Sequence, residues 1–212
     1  MLKPCVFGAD YSVYVRIVRL TLEEKNVDYD LKPIDVFAKD GPPASYLERQ
    51  PFGRIPAFEH DGFQLYETGA ITRYIDEAFA GPRLQPVDPR QRARVNQIIG
   101  VADAYIYPTL VWGVYVESVS KRRRGEIPNE ARLAAALAKA PKCLKALSDI
   151  IPEADWLVGS ALTLADLHLA PMFYYFVLAP EGREMTASYP KLKSWWTRIE
   201  DRASMQRTTP TT

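Results

Sequence analysis

The sequence predicts a small α/β domain over residues 1–80, followed by an all-helical domain over residues 90–212. Two observations predict this fold class. In the first part, short apolar runs typical of strands alternate with stretches of helical spacing. After Pro89 the apolar residues keep helical spacing almost throughout. The intervening segment, Phe79–Pro89, contains Gly81 and several prolines, which is typical of an interdomain linker.

The N-terminal domain begins with a strand, a helix and a second strand. Leu2–Phe7 is a short apolar run that ends at Gly8, and in Val13–Asn26 apolar residues recur at helical spacing. Tyr29–Val36 alternates as a second strand, and Ser45–Arg49 is expected to form a helical turn. A strand–helix–strand start favours parallel pairing of these two strands.

A hairpin and a helix complete this domain. Ala57–Glu59 and Phe63–Leu65 are predicted strands, joined by a turn at His60–Gly62. Helical spacing returns at Glu67 and ends near Gly81. The predicted order is therefore β-α-β-α-β-β-α, with the hairpin as an antiparallel edge of the sheet.

The C-terminal domain is predicted to contain four long helices. The first should bend at Pro108, which removes a backbone hydrogen bond. The predicted helices are Arg90–Ser120, Asn129–Ile151, Thr163–Leu178 and Leu192–Arg202.

The composition excludes several classes of protein. The 212 residues are 47% hydrophobic and 25% charged, which is typical of a globular chain with a buried core. The net charge of +1 argues against a nucleic-acid binder, and the basic run Lys121–Arg124 is interpreted as a solvated loop. No apolar stretch reaches the roughly 18 residues of a membrane span, and the first residues do not resemble a signal peptide. Cys5 and Cys143 are too few for a disulfide framework, so we expect a soluble intracellular protein.

The segment Gln50–Phe58 contains the first candidate for binding. Pro56 stands directly before an apolar strand, where it has no N–H to donate to a sheet. A cis Ile55–Pro56 bond would turn the chain and direct the N–H and C=O of Ile55 outward, where a short peptide could pair as an added strand. An ordinary trans proline at a strand start explains the segment equally well.

Two helix starts are candidate anion sites. Glu67 and Thr68 open a helix, where free N–H groups and the dipole favour a carboxylate and Glu67 could hold an ammonium. Ser12 lies at an expected N-cap, where its hydroxyl could donate to a thiolate. Helix capping alone also explains these residues. Tyr11 and Tyr14 carry further hydroxyls nearby, so the identity of the donor stays open.

Three segments together resemble the cytosolic glutathione transferases, namely Tyr11–Asp30, Ser45–Phe58 and Gln64–Ile75. The C-terminal half agrees through Gly159–Asp166, which is similar to the capping-box motif of that family. In this motif Thr163 caps a helix and Asp166 returns a hydrogen bond, so Asp166 is interpreted as a folding residue. The resemblance implies a thioredoxin-like N-terminal domain and an all-α C-terminal domain.

Three features point to one class within this family: Phe7-Gly8 followed by Ser12, then Glu24–Asn26, and Pro51–Gly53. They most resemble the serine-type phi class and its bacterial relatives. The resemblance implies that Ser12 stabilises the thiolate of glutathione, and that the backbone at Ile55–Pro56 binds the cysteinyl part. Glu67 and Thr68 would bind the γ-glutamyl end. The His-Lys pair that usually holds the glycyl carboxylate has no counterpart here, and Lys39 or Arg54 could substitute for it.

The same resemblance implies an enzyme of detoxification that joins glutathione to a largely apolar electrophile, without a metal or other cofactor. Tyr105, Trp112 and Tyr115 recur at seven and three residues, which predicts one shared helix face. Together with Tyr11, this face is a candidate electrophile pocket, although a core role is the simpler interpretation. A cytoplasmic homodimer is expected, with Phe52 inserted into the partner, and no nucleic-acid or membrane partner.

Two other functions stay open from the sequence. The fold could serve as a non-catalytic binding or protein-interaction module, since fold does not determine function. A cysteine-type thiol oxidoreductase would need a cysteine where Ser12 stands, and Cys5 is instead expected to be a buried residue of the first strand. His60, expected in a turn, and His168, expected on a helix, do not have metal-ligand spacing.

Overall fold

The structure, a computed structural model, describes residues 3–211. Contacts divide the chain into two compact units, one of residues 1–85 with 202–212 and one of residues 86–201. The expected domains, 1–80 and 90–212, stay a prediction. The observed units differ from them in the last residues, because the segment from Arg202 onward packs with the N-terminal residues.

The first unit contains a four-stranded mixed sheet. Its strands are β1 (Cys5–Phe7), β2 (Asp30–Lys32), β3 (Ala57–His60) and β4 (Phe63–Tyr66), in the order β2-β1-β3-β4. β1 pairs with β2 in parallel, whereas β3 is antiparallel to both β1 and β4. The predicted α/β class, the element order and the antiparallel hairpin edge are therefore confirmed.

Helices pack on this sheet and bury its apolar side chains. They are α1 (Val13–Glu24) and α3 (Thr68–Ala78), and the short helices α2 (Ala44–Leu47) and α10 (Ala203–Arg207) belong to the same unit. One hydrophobic cluster joins the sheet to α1 and α3, and its buried members are Val6, Val15, Val18, Leu22, Phe58, Ile71 and Ile75.

Several element ends differ from the prediction. β2 stops at Lys32 rather than Val36, because Pro33 has no N–H for the ladder. α1 ends at Glu24, two residues before Asn26, which has a left-handed φ of 54°. Leu2, the predicted start of β1, lies outside the described residues.

The hairpin turn is shorter than predicted. His60 is the last residue of β3 and is buried, so its expected place in a turn is wrong. Asp61 and Gly62 alone connect the strands, with φ angles of 50° and 78°. Two consecutive positive φ angles define the type I′ turn, whose twist matches that of paired strands.

The second unit is helical. One continuous helix, Pro89–Arg123, consists of α4 (Pro89–Val101), a π-helical segment (Ala102–Ser120) and a last α-turn, α5 (Lys121–Arg123). The helices that follow are α6 (Glu130–Ile150), α7 (Leu164–Leu178), α8 (Pro180–Ala187) and α9 (Pro190–Glu200). The four predicted helices are confirmed with ends shifted by a few residues. α8 and α10 were not predicted, because they are shorter than the windows in which helical periodicity is read.

The long helix corrects two expectations. Lys121–Arg123 continues this helix, so the basic run is not a loop, and Lys121 pairs with Glu117 while Arg122 pairs with Glu130. By length and composition alone Pro89–Arg123 could cross a bilayer, contrary to the prediction that no stretch is apolar enough. Its most apolar window is 44% buried inside the protein, and core helices of folded domains meet the same criteria, so this is weak evidence for a span.

The capping box at the start of α7 has the predicted form. The Asp166 carboxylate accepts the N–H and the hydroxyl of Thr163, each at 2.8 Å, and also the N–H of Leu157 and the indole N–H of Trp195. Asp166 is fully buried, and burial raises the pKa of this carboxyl while the four donors oppose the rise. This carboxylate therefore joins a loop and two helices within the helical unit.

Candidate active site

The sheet register brings four loops to one edge of the first unit. Phe7 is paired with both Lys32 and Ala57, and Ala57 is paired with Tyr66. The chain that follows Phe7, Lys32 and Tyr66, and the chain that precedes Ala57, must therefore meet at the same edge. These four loops carry the predicted site residues Ser12, Lys39, Arg54, Ile55, Pro56, Glu67 and Thr68.

Gly8 allows two of these loops to approach each other closely. A Cβ atom at this position would lie 2.4 Å from Cγ2 of Val15 and 3.2 Å from Cβ of Ile55. Both distances are shorter than ordinary van der Waals contact, so only glycine fits here without movement of its neighbours. The loop Gly8–Ser12 thus packs directly beside the loop that contains Ile55.

Ser12 is the N-cap of α1, as the sequence predicts. Its backbone is extended, and its Oγ accepts the N–H of Val15 at 3.4 Å, which is long for such a bond. The hydroxyl proton has no acceptor among residues 3–211. Ser12 can therefore donate a hydrogen bond to an anion placed at the positive end of the α1 dipole.

Tyr11 is the neighbouring hydroxyl that the sequence left as an alternative donor. Its OH donates to the Asp35 carboxylate at 3.3 Å, and its ring stacks on Phe37 with centroids 6.1 Å apart. Burial, and next the charge of Asp35, raise the pKa of Tyr11 to about 12. The phenol therefore stays protonated at neutral pH and already has an acceptor, which makes Tyr11 the weaker candidate.

The loop before β3 is fixed by two side chains that the sequence analysis missed. Buried Gln50 accepts the N–H of Phe52 at 2.8 Å and that of Arg54 at 3.2 Å through the same oxygen. The hydroxyl of Tyr46 donates to the carbonyl of Arg54. Only burial distinguishes these residues from ordinary loop residues, and a single sequence carries no signal for it.

The backbone of Ile55 is open to a ligand. The Ile55–Pro56 peptide bond is cis. Within the described part of the chain, neither the N–H nor the C=O of Ile55 has a hydrogen-bond partner, and the ladder begins only at Ala57. Backbone groups that the sheet leaves unpaired are the elements that bind an extended peptide as an added strand.

Glu67 and Thr68 lie at the N-terminus of α3. Glu67 is the N-cap residue and is exposed, with a φ of 72° that non-glycine residues rarely adopt. Thr68 begins the helix and is buried. Local strain of this kind costs about 1–3 kcal/mol and is concentrated at ligand sites. The turn therefore holds a carboxylate and the free N–H groups of a helix start side by side.

Lys39 and Arg54 lie on two of the four loops and are both exposed. Neither side chain forms an ion pair with any residue between 3 and 211. Both cations are thus available to an anionic ligand, and the fold alone does not distinguish between them.

The three aromatic residues of the long helix do not share one set of neighbours. Trp112 contacts Tyr107 and the guanidinium of Arg132, on the side of α6. Tyr115 contacts Tyr175 of α7, and Tyr105 is 62% exposed. The predicted shared face assumed α-helical winding, whereas this segment is π-helical with i to i+5 bonding.

The structure also shows the surroundings of Phe52, Cys5 and the two histidines. Phe52 is 68% exposed, as expected for a loop residue, and its ring meets that of Tyr66 edge to face. Cys5 lies in β1 but is half-buried rather than buried. His60 accepts or donates at 2.8 Å to the hydroxyl of Tyr74, and His168 lies 2.8 Å from a carboxylate oxygen of Asp103. No group of three potential metal ligands exists among residues 3–211.

Comparisons with known proteins agree with this architecture. A model of the glutathione S-transferase N-terminal domain matches residues 6–83, and one of the C-terminal domain matches residues 117–203. Glutathione S-transferase F13 of Arabidopsis thaliana is 29% identical, over 97% of this chain and 94% of that protein. A glutathione S-transferase of Hyoscyamus muticus is 30% identical, over 89% of each chain.

Solved structures show the same fold. Glutathione transferase F7 from Populus trichocarpa matches with a TM-score of 0.84 at 29% identity, over 97% of both chains. A glutathione S-transferase-I bound with lactoylglutathione matches with a TM-score of 0.85 at 26% identity, over 98% of both chains. The chain thus has the fold of a glutathione-dependent transferase. This fold is a mixed sheet, with unpaired backbone groups where the four loops meet, followed in sequence by a helical unit. The chain belongs to the glutathione S-transferase family, and within it to the phi class. These findings do not favour a non-catalytic binding module.

Proposed function

We propose that this glutathione transferase binds glutathione across the sheet edge, with the cysteinyl part paired to the backbone of Ile55. The observation that carries the proposal is the unpaired peptide group of Ile55, which lies between the N-termini of α1 and α3. A tripeptide placed along this edge gains main-chain hydrogen bonds as an added strand does. Its thiol then lies at the start of α1 and its γ-glutamyl end at the start of α3.

In this pose Glu67 and Thr68 bind the two charges of the γ-glutamyl end. The Thr68 N–H and the dipole of α3 favour the carboxylate, while the Glu67 carboxylate pairs with the ammonium. Lys39 or Arg54 neutralises the glycyl carboxylate, because both are exposed cations on neighbouring loops. Recognition of glutathione then depends on charge at both ends and on backbone pairing in the middle.

Ser12 is the group that acts on the sulfur. Its hydroxyl donates to the thiolate, and the dipole of α1 adds to this preference for the anion. A hydrogen bond to a charged group contributes about 1.5–3 kcal/mol, so these interactions together can lower the thiol pKa by about two units. The thiol proton leaves to solvent, and the sulfur forms a bond to an electrophilic carbon. Either that carbon loses a leaving group with its bonding electron pair, or the electron pair of a broken bond moves to the neighbouring atom, which then takes a proton from solvent.

The electrophile is a largely apolar compound. In the first unit, the stacked rings of Tyr11 and Phe37 lie on the same loops as Ser12 and Lys39, so they offer an aromatic surface beside the proposed glutathione site. In the helical unit, Tyr105 is exposed, whereas Trp112 and Tyr115 are half-buried. Tyr11 and these three residues stay our candidates for electrophile contacts, and the chemistry needs neither a metal nor a redox cofactor.

We also propose a cytoplasmic homodimer. Phe52 supports this proposal, because its side chain is 68% exposed on a loop held by Gln50. Insertion of this ring into a partner would remove its apolar surface from water and stabilise the dimer. Sedimentation at micromolar concentration should give a species of twice 24.0 kDa for the wild type. Phe52→Ser should shift the protein towards monomer, and a monomeric wild type would contradict the dimer.

A calorimetric titration with glutathione tests the binding site. Glu67→Ala removes the partner of the ammonium and should weaken binding roughly ten- to hundredfold, since a charge-assisted bond contributes about 1.5–3 kcal/mol. Glu184→Ala, at an exposed glutamate of α8, is the matched control and should bind as the wild type does. Lys39→Ala and Arg54→Ala, measured separately, identify the cation of the glycyl end. Equal affinity of the wild type and Glu67→Ala would refute the assignment.

A further inference from the structure

The last residues of the first unit form a strap along α1. This C-terminal strap, Arg202–Thr211, runs antiparallel to the helix. Arg202 and Ser204 bond to Glu24 at the end of α1, and Arg207 pairs with Glu23 at 2.6 Å. The strap then continues towards Ser12, the residue that caps the other end of the helix.

A buried arginine anchors the middle of the strap. Arg16 of α1 is 1% exposed, and its guanidinium donates to the hydroxyl of Thr208 at 3.3 Å and to the carbonyl of Met205 at 3.0 Å. Arg19 adds bonds to the carbonyls of Arg207 and Thr208. A buried guanidinium is stable only with such acceptors, so the strap and α1 hold each other in one register.

The end of the strap reaches the active-site loop. The N–H of Thr211 donates to the Asp10 carboxylate at 3.0 Å, and the Thr211 hydroxyl donates to the same oxygen. Asp10 lies inside the turn that the N–H of Ser12 closes on the carbonyl of Ala9 at 3.1 Å. Partial burial raises the pKa of Asp10, but the two bonds from Thr211, the charge of Arg19 and the N–H of Tyr11 together outweigh it. The pKa of Asp10 therefore lies below its usual value, and the carboxylate is charged at neutral pH.

We propose that Asp10 and Thr211 are positioning residues of the transferase reaction, which hold the Gly8–Ser12 loop so that the Ser12 hydroxyl points at the sulfur of glutathione. The inference rests on the proposed role of Ser12. Hydrogen-bond strength falls steeply with distance and angle, so a small shift of this loop weakens the bond to the thiolate. The hydrogen bonds between Asp10 and Thr211 are here called the latch. Ile55 and Glu67 lie on other loops, so glutathione affinity depends little on this latch.

The test measures the thiol pKa of bound glutathione from the ultraviolet absorbance of the thiolate. Thr211→Val removes the hydroxyl and keeps the side-chain shape, and Thr211→Ser restores the donor. We expect Thr211→Val and Asp10→Ala to raise the thiol pKa by about 0.5–1, which is a three- to tenfold loss of thiolate below that pKa. The KM for glutathione should change less than about twofold, because uniform binding is retained.

Matched controls separate this role from stability. Arg207→Gln breaks the ion pair with Glu23 and loosens the strap far from Ser12, so it should lower the melting temperature without moving the thiol pKa. A thiol pKa that rises equally in Arg207→Gln and Thr211→Val would overturn the proposal, because general loosening would then explain both. Recovery of the wild-type thiol pKa in Thr211→Ser supports it.

The Ser12→Ala background separates failure of this inference from failure of the proposed function. If Ser12→Ala leaves the thiol pKa unchanged, the proposed role of Ser12 is wrong. If Ser12→Ala raises the pKa but Thr211→Val does not, only the latch is refuted. If both raise it and the double variant equals Ser12→Ala alone, the latch acts through Ser12 as proposed, whereas additive shifts would refute that route.

Discussion

Replacing Ser12 with alanine removes one hydroxyl and keeps the helix N-terminus that follows it. The bond that this hydroxyl makes to a thiolate contributes about 1.5–3 kcal/mol, which corresponds to a rise of about 1.1–2.2 in the thiol pKa. The cap bond to Val15 is long at 3.4 Å, so the loss of stability should lie at the low end of the range for N-caps, about 0.5–1 kcal/mol. The variant should therefore fold.

The rate should fall less than the thiolate concentration does. A thiolate of higher pKa is the stronger nucleophile, with a Brønsted slope of about 0.4–0.5. On a logarithmic scale, the higher reactivity therefore offsets roughly half of the loss in thiolate concentration. Turnover below the wild-type thiol pKa should then decrease about four- to twentyfold, and the deficit should disappear as the pH rises above the thiol pKa of the variant.

The assay is the pH profile of kcat, combined with spectroscopic titration of the thiol in the complex with glutathione. Tyr11→Phe is the matched control, because its hydroxyl is the alternative donor but already bonds to Asp35. An unchanged thiol pKa in Ser12→Ala, or a larger shift in Tyr11→Phe, would refute the reasoning.

Three further predictions concern stability. Asp166→Ala leaves four buried donors without their acceptor and should cost about 4 kcal/mol or more in denaturant unfolding, with unchanged activity per folded molecule; a cost below about 1 kcal/mol would contradict this. Lys25→Met leaves the Asp76 carboxylate buried without its cation and should cost about 3–5 kcal/mol, and Asp76→Asn in the same chain should recover part of it. The pKa of Tyr11 is raised from 10.0 to about 12, so its protonated hydroxyl stabilises the folded state. This contribution to the free energy of unfolding is complete below pH 10 and is lost as the pH rises to 12. Tyr11→Phe should therefore lose less unfolding free energy than the wild type over that interval, and parallel losses would contradict the assignment.

Local signals in the sequence were sufficient for much of the fold. The pattern from Thr163 to Asp166 predicted a capping box because all its partners lie within one helical turn. The segment His60–Gly62 between two apolar runs predicted a hairpin, and the turn forms at Asp61 and Gly62 because aspartate and glycine tolerate its positive φ angles. Ser12 was predicted as an N-cap for the same kind of reason.

Other features had no local signal. The neighbours of Tyr105, Trp112 and Tyr115 depend on π-helical winding, which the apolar spacing does not reveal. The support of Arg54 by Gln50 depends on which glutamine is buried, and burial is decided by packing.

The sequence by itself determined the element order, the helix caps and the residue types of the candidate site, because these follow from interactions between near neighbours. Only the tertiary structure decided that the peptide group of Ile55 is left open and that Thr211 reaches Asp10, two hundred and one positions earlier in the chain. The physical reason is that such contacts come from sheet register and from the packing of buried side chains such as Arg16, which depend on the whole fold at once.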